Sequence, residues 1–204
     1  MYYEMIILGT LMVGPFHGYL IAKIMQNIIG PYGKISAGRL YPLLTKLEEG
    51  GLIMVEPTSE QQERQQHRRS HIPSRRYQVT EAGRERLHEL MMDTTSYLGD
   101  YQKMFMQKVA YFSFLQPEEC LHLIEHYHGY CQSMVSYGTT RAEELAKSGT
   151  DKNGSIGMTS AQLNNLLTAM QHKIHLCQQE LLWAEHLREQ IKASKDTLQR
   201  QQAR

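Results

Sequence analysis

Cysteine is scarce in this 204-residue chain: Cys120, Cys131 and Cys177 are odd in number and far apart. That argues against a disulfide framework and for a reducing cytosolic setting. Long apolar runs are missing too. The run Met5–Val13 is too short to span a bilayer and has no basic residues ahead of it, so neither a membrane span nor a targeting segment is expected. There is no large excess of charge of either sign. The net charge is +1, so any nucleic-acid surface has to come from local clustering. Motifs of catalysis are absent as well: no G-x-S-x-G, P-loop, dinucleotide fingerprint or H-E-x-x-H occurs, and Glu48-Glu49 reads as a helix-surface pair. An enzyme is not expected.

With 41% hydrophobic and 21% charged residues, the chain has a globular composition, enough for one large domain or two small ones. Proline divides it. Pro15, Pro31, Pro42, Pro57 and Pro73 precede residue 80 and only Pro117 follows, so short elements come first and long helices later. Isoleucine and leucine at helical spacing predict helices near 2–13 and 18–29, broken by Gly14-Pro15-Phe16-His17-Gly18. A third helix starts behind Ser36 as N-cap, carries the stripe Leu40, Leu43, Leu44 and Leu47, and stops at Gly50-Gly51. Pro42 either bends this helix or delays its regular part to about Leu40. Leu52–Val55 and Arg75–Val79 read as two strands flanking a polar excursion. Three helices followed by two strands make a winged helix-turn-helix.

The expected fold class is mainly α with a small β-wing: a winged helix-turn-helix domain over 1–83, then a long-helix dimerisation domain over 84–204. Within the latter, Thr80 caps a long connecting helix over 84–115, and Pro117 opens a helix over 117–148. A Gly-rich loop covers 149–158, and a heptad helix covers 160–198. Its seam is Leu163, Leu167, Met170, Ile174, Cys177 and Leu181, the candidate dimer interface, with the tail beyond Arg188 fraying or emerging into solvent.

Two features point to DNA. Between Glu60 and Arg76 five arginines stand against two glutamates, a local charge of about +3. Arg64, Arg68, Arg69 and Arg75 suit phosphate and minor-groove contact, because the guanidinium fork makes two hydrogen bonds and is weakly hydrated. On the third helix Ser36, Arg39, Tyr41, Thr45 and Lys46 fall off the leucine stripe. Arg39 is the expected base reader, since arginine binds guanine bidentately, while Tyr41 and Lys46 would hold phosphates. The alternative for Tyr41 is packing on the core.

Other clusters have blander readings. Cys120, His122, His126, His128 and Cys131 lie within twelve residues, and His122/His126 have the i,i+4 spacing of a shared metal. No third ligand sits at a fixed zinc spacing, so no metal and no cofactor is expected. A metal- or haem-responsive regulator is kept as an alternative. Tyr97, Tyr101, Phe105 and Tyr127 could line an apolar effector pocket, or simply fill interhelical space.

The stretch Ile7-Leu8-Gly9-Thr10-Leu11 … Gly14-Pro15-Phe16-His17-Gly18-Tyr19, then Gly38-Arg39-Leu40-Tyr41-Pro42-Leu43-Leu44-Thr45-Lys46-Leu47-Glu48-Glu49-Gly50-Gly51-Leu52-Ile53, resembles the PadR family of bacterial transcriptional regulators. Arg75-Arg76-Tyr77-Gln78-Val79-Thr80-Glu81-Ala82-Gly83-Arg84 is similar to the family's last wing strand and following helix. The resemblance covers about residues 5–88; the tail beyond Pro117 resembles the longer PadR subfamily only in length and helical content. It implies a winged-helix DNA-binding domain, a dimer built by C-terminal helices, and repression relieved by a small molecule. It also places Tyr41 and Lys46 on the recognition helix and Arg75 at the basic position of the wing. The expected partners are a pseudo-palindromic operator, a second copy of the chain and a small aromatic or apolar effector, with no membrane. The expected location is the cytoplasm, at the nucleoid when bound to DNA. A winged-helix protein–protein adaptor without specific DNA binding is the competing reading.

Overall fold

The computed structural model describes residues 2–30, 35–56, 75–96, 98–148 and 159–202. They form two compact units, Met1–Tyr111 and Phe112–Arg204.

The first unit is built around α1 (Tyr2–Val13). Seven consecutive residues of α1, Met5 to Leu11, are buried. A helix apolar on every side has no solvent face to present, so it becomes the spine of the core. Gly9 permits one close approach: a Cβ there would sit 2.5 Å from the Tyr111 ring. Around α1 lie α2 (Gly18–Ile29), α3 (Ala37–Glu49) and α4 (Glu81–Met92). Pro42 does not delay α3, which is helical from Ala37 onward. Ser36 stands at the N-cap, where its carbonyl accepts from Arg39 and Leu40 while its hydroxyl makes no capping bond. After α3 the chain reverses through Gly51, whose φ of 69° lies in the left-handed region that glycine tolerates.

Three strands, not two, close the wing. Besides β2 (Ile53–Val55) and β3 (Arg76–Val79), the break between the first helices contributes β1 (Phe16–His17). The antiparallel order is β1-β3-β2, with Phe16 opposite Tyr77 and Ile53 opposite Val79. Two residues are too few to show alternation, which is why β1 reads in the sequence as part of a turn.

The expected connecting helix over 84–115 is interrupted. α4 begins as anticipated, its N-cap Thr80 accepting from the Gly83 amide at 3.0 Å, but it ends at Met92. Asp93 then turns the chain: one carboxylate oxygen accepts from the Thr95 and Ser96 amides at 2.9 and 3.0 Å and from the Thr95 hydroxyl. A hydrogen bond from the Ser96 side chain, joined by these bonds, holds the Asp93 carboxyl well below the usual carboxylate range. The run Asp93-Thr94-Thr95-Ser96 thus gives the backbone an alternative to helix, the behaviour that makes Asp and Ser favour turns. A short 3-10 turn (Leu98–Asp100) leads into α5 (Tyr101–Val109).

In the second unit, α6 (Pro117–Ser148) and α7 (Ser160–Gln202) form an antiparallel hairpin. Glu118 faces Lys195, Glu125 faces Arg188, His128 faces Glu185, and a Cβ at Gly138 would meet Ile174, so the register holds along the pair. Cys120, Leu123, Ile124, Tyr127 and Cys131 of α6 and Ala184 of α7 are buried. Of the two expectations for the tail beyond Arg188, emergence into solvent holds: residues 189–197 are mostly exposed and remain helical. The helix continues to Gln202, because Arg188 and Lys195 find carboxylates on α6.

Candidate nucleic-acid interface

The helix-turn-helix pair is α2 and α3. Leu40, Leu44 and Leu47 anchor α3 in the core, which leaves Ser36, Arg39, Tyr41, Thr45 and Lys46 exposed on its other faces. Tyr41 is packed and exposed at once. Its ring rests on the amino end of α2, where a Cβ at Gly18 would lie 3.0 Å from the ring, and yet the side chain remains 46% exposed. Arg39 is placed less simply. Its guanidinium lies over the Tyr3 ring, 5.0 Å from the centroid, so the residue expected to read a base is stacked on the start of α1.

Sequence reasoning missed two residues beside Tyr41. Tyr19 is 64% exposed and its ring stacks on His17, with centroids 5.9 Å apart. Both flank the amino end of α2, the part of a helix-turn-helix that faces the sugar-phosphate backbone. The signal was an aromatic beside glycine in a segment read only as a break.

On the wing, Arg75 is exposed and stands 3.8 Å from Glu48 near the end of α3. Arg76 pairs with Glu56 at 3.0 Å and donates to the Pro15 carbonyl, tying β3 to the chain entering β1. These pairs are largely exposed, so each contributes under about 1 kcal/mol and Arg75 can be recruited by a phosphate at small cost. Burial pushes the neighbouring Tyr77 hydroxyl above its ordinary value. Arg64, Arg68 and Arg69 lie outside the described residues.

The remaining expected site residues are scattered. Tyr101 and Phe105 are buried in the core of the first unit. Tyr127 is buried in the hairpin of the second, its hydroxyl donating to Glu180 at 2.8 Å and pushed upward by burial and that carboxylate. Tyr97 lies outside the described residues. Cys120 and Cys131 are buried, and burial pushes both thiols up to about 11. Among the described residues no three His, Cys, Asp or Glu side chains stand close enough to share a metal ion. Leu163, Leu167, Met170, Ile174, Cys177 and Leu181 are half-buried within a single chain, Ile174 of that stripe lying against Gly138 of α6. Among the described residues no helix is long and apolar enough to cross a membrane.

A helix-turn-helix whose second helix presents polar residues, followed by an arginine-bearing strand pair, defines a winged-helix DNA-binding protein. Residues 7–89 match the family described as the transcriptional regulator PadR-like family. The match covers the winged-helix part of the chain, so residues 7–89 form a PadR-like domain. No curated protein matches it. Among solved structures, it is similar to Bacillus subtilis PadR in complex with operator DNA (19% identity, covering 94% of this chain and 99% of that one, TM-score 0.40). It is also similar to the PadR-like regulator BC1756 from Bacillus cereus (17%, 94% and 99%, TM-score 0.35). A third is the Vibrio cholerae virulence activator AphA (19%, 94% and 99%, TM-score 0.35).

Proposed function

We propose that the protein is a cytoplasmic, homodimeric, sequence-specific repressor, occupying a pseudo-palindromic operator and released from it by a small molecule. One observation carries the reading: α3 buries its leucines and leaves Arg39, Tyr41, Thr45 and Lys46 exposed beside Tyr19 and Arg75. Polar side chains on a well-anchored second helix are what major-groove entry requires. Tyr41, Tyr19, Lys46 and Arg75 would hold phosphates, with Arg39 leaving the Tyr3 ring to meet a base edge. Arg64, Arg68 and Arg69 would add contacts along the flanking backbone. Repression follows sterically, because a bound dimer blocks polymerase.

The hairpin supports the dimer. Its ion pairs Glu118–Lys195, Glu125–Arg188 and His128–Glu185 occupy one edge. Tyr137 and Leu176 are 66% and 48% exposed, and each has an aromatic one heptad away, Tyr130 and Trp183. Together with the half-buried Leu163, Leu167 and Met170 they leave apolar surface that a second hairpin would cover.

Fluorescence anisotropy tests the reading, using DNA from upstream of the protein's own coding region beside a shuffled duplex at about 0.15 M salt. Tight binding to the native fragment alone, with a steep salt dependence, is expected. Arg39→Ala should relax base preference, whereas Arg68→Ala or Arg69→Ala should weaken all DNA about equally and flatten the salt slope by about one. Equal weak binding to both duplexes would favour the adaptor reading instead.

A further inference from the structure

Arg39 is the only cation in the first turn of α3, the end of a recognition helix that meets base edges. Its guanidinium is engaged elsewhere: it lies over the Tyr3 ring, 5.0 Å from the centroid, within the range of a cation–π contact. Among the described residues no carboxylate pairs with Arg39, so the ring is what holds it.

The ring is itself braced. Tyr2 meets Tyr3 edge-on at 5.5 Å, and Lys103 of α5 holds its ammonium over the Tyr2 ring, 4.4 Å from the centroid. Both tyrosines are half-buried at the start of α1, whose following residues from Met5 to Leu11 are locked in the core. An exposed arginine ordinarily samples many rotamers; a ring fixed in this way favours one of them.

The same guanidinium cannot lie over a ring of α1 and also reach a base in the groove that α3 enters. Reading a base therefore breaks the contact with Tyr3. The groups that would hold phosphates are placed differently. Tyr41, Tyr19 and Arg75 are exposed, and they reach the DNA backbone without moving Arg39. Binding without regard to sequence leaves the contact with Tyr3 intact. A bidentate guanine contact is stronger than one exposed cation–π contact, whereas a single hydrogen bond to another base is only about its equal.

We propose that Tyr3 is a positioning residue for operator reading: it stows Arg39 on α1 in the free protein and competes with guanine for it at the operator. The inference rests on the reading of α3 as the recognition helix and of Arg39 as its base reader. The contact is autoinhibitory. It lowers affinity for the operator, leaves affinity for other DNA unchanged, and so sets the ratio between the two.

The test is fluorescence anisotropy of the full-length protein at about 0.15 M salt. The probes are the duplex that the wild type itself enriches from a random pool and a shuffled duplex of the same composition. Tyr3→Leu should bind the enriched duplex about threefold tighter per half-site, the strength of an exposed cation–π contact, and about tenfold tighter as a two-fold dimer. Its affinity for the shuffled duplex should not change, which also reports that the domain is folded. Tyr3→Phe keeps a ring and should behave like the wild type. In an Arg39→Ala background, Tyr3→Leu should have no further effect on either duplex. A Tyr3→Leu protein that binds the enriched duplex no tighter than the wild type overturns the proposal. So does one that gains equally on both duplexes, or one that keeps its gain without Arg39. A pool from which the wild type enriches no sequence removes the recognition-helix reading and the role of Tyr3 with it, whereas clear enrichment followed by any of the other three results removes the role of Tyr3 alone.

Discussion

Lys108 provides the sharpest test of how the break between α4 and α5 is held. Its side chain is 1% exposed, its ammonium donates to the Asp93 carbonyl at 2.5 Å, and it lies 5.9 Å from the Tyr101 centroid. Burial outweighs the favourable Asp93 carboxylate and lowers the ammonium from 10.5 to about 8. A lysine depressed in the folded state binds its proton more weakly there than in the unfolded chain. Between pH 10.5 and 8 the unfolded chain is therefore protonated first, and stability falls as pH falls through that window. At about 1.36 kcal/mol per unit the full depression corresponds to roughly 3 kcal/mol, an upper bound. Lys108→Met keeps the length of the side chain and removes the charge. Its stability relative to wild type should be most favourable near pH 7, and the difference should shrink by up to about 3 kcal/mol as pH rises through the window. Urea unfolding followed by circular dichroism, on both proteins at four pH values from 7 to about 10.5, isolates the effect. The tyrosines titrating in the same range are common to both proteins and cancel in the difference. A pH-independent difference would falsify the assignment of a buried, depressed lysine.

Two further predictions concern the join between wing and α4. A Cβ at Gly83 would run into the Leu52 carbonyl oxygen and come within 2.7 Å of Val79 Cγ2. Because the first obstacle is backbone, Gly83→Ala should cost about 1–3 kcal/mol in urea unfolding, and an unchanged midpoint would refute the close approach. Thr80 accepts from the Gly83 amide and its hydroxyl lies 2.6 Å from the Gly51 carbonyl oxygen. Thr80→Ala should cost about 1 kcal/mol and Thr80→Ser should restore most of it, whereas equal losses would indicate methyl packing instead of a cap.

The elements legible in the sequence are those whose signals are local. Isoleucine and leucine spacing marked the first three helices, Thr80 and Pro117 marked two helix starts, and Gly50-Gly51 marked a stop. The off-stripe residues of α3 are exposed for the same reason: a helix that buries Leu40, Leu44 and Leu47 has to turn Tyr41 and Thr45 outward. The break at Asp93 was hidden because Leu87, Leu90, Tyr101 and Phe105 are close to helical spacing across it, and periodicity says nothing of a four-residue polar turn between them. The placement of Arg39 was out of reach for another reason. Its partner Tyr3 lies 36 positions earlier, and only the tertiary fold of the first unit brings ring and guanidinium together.

That pairing also limits what a regulatory signal can be. With Met5 to Leu11 all buried, α1 cannot slide or rotate without disturbing the core of the first unit. A signal reaching α3 by way of α1 has to pass through groups that can change rotamer without repacking that core. Tyr2 and Tyr3 stand at the start of α1, ahead of the buried segment and only half-buried themselves, and each ring contacts a flexible cation. Cation–π contacts at such sites are worth about 0.5–1 kcal/mol, so either is readily exchanged for another contact. Holding Arg39 on Tyr3 keeps a single side chain at the amino end of α3 away from the base edges that a recognition helix meets. A lost bidentate base contact is worth about 1–3 kcal/mol per half-site, and a two-fold dimer applies that loss twice. Side-chain exchange at the start of α1 is therefore large enough to release an operator with the helix backbone left in place.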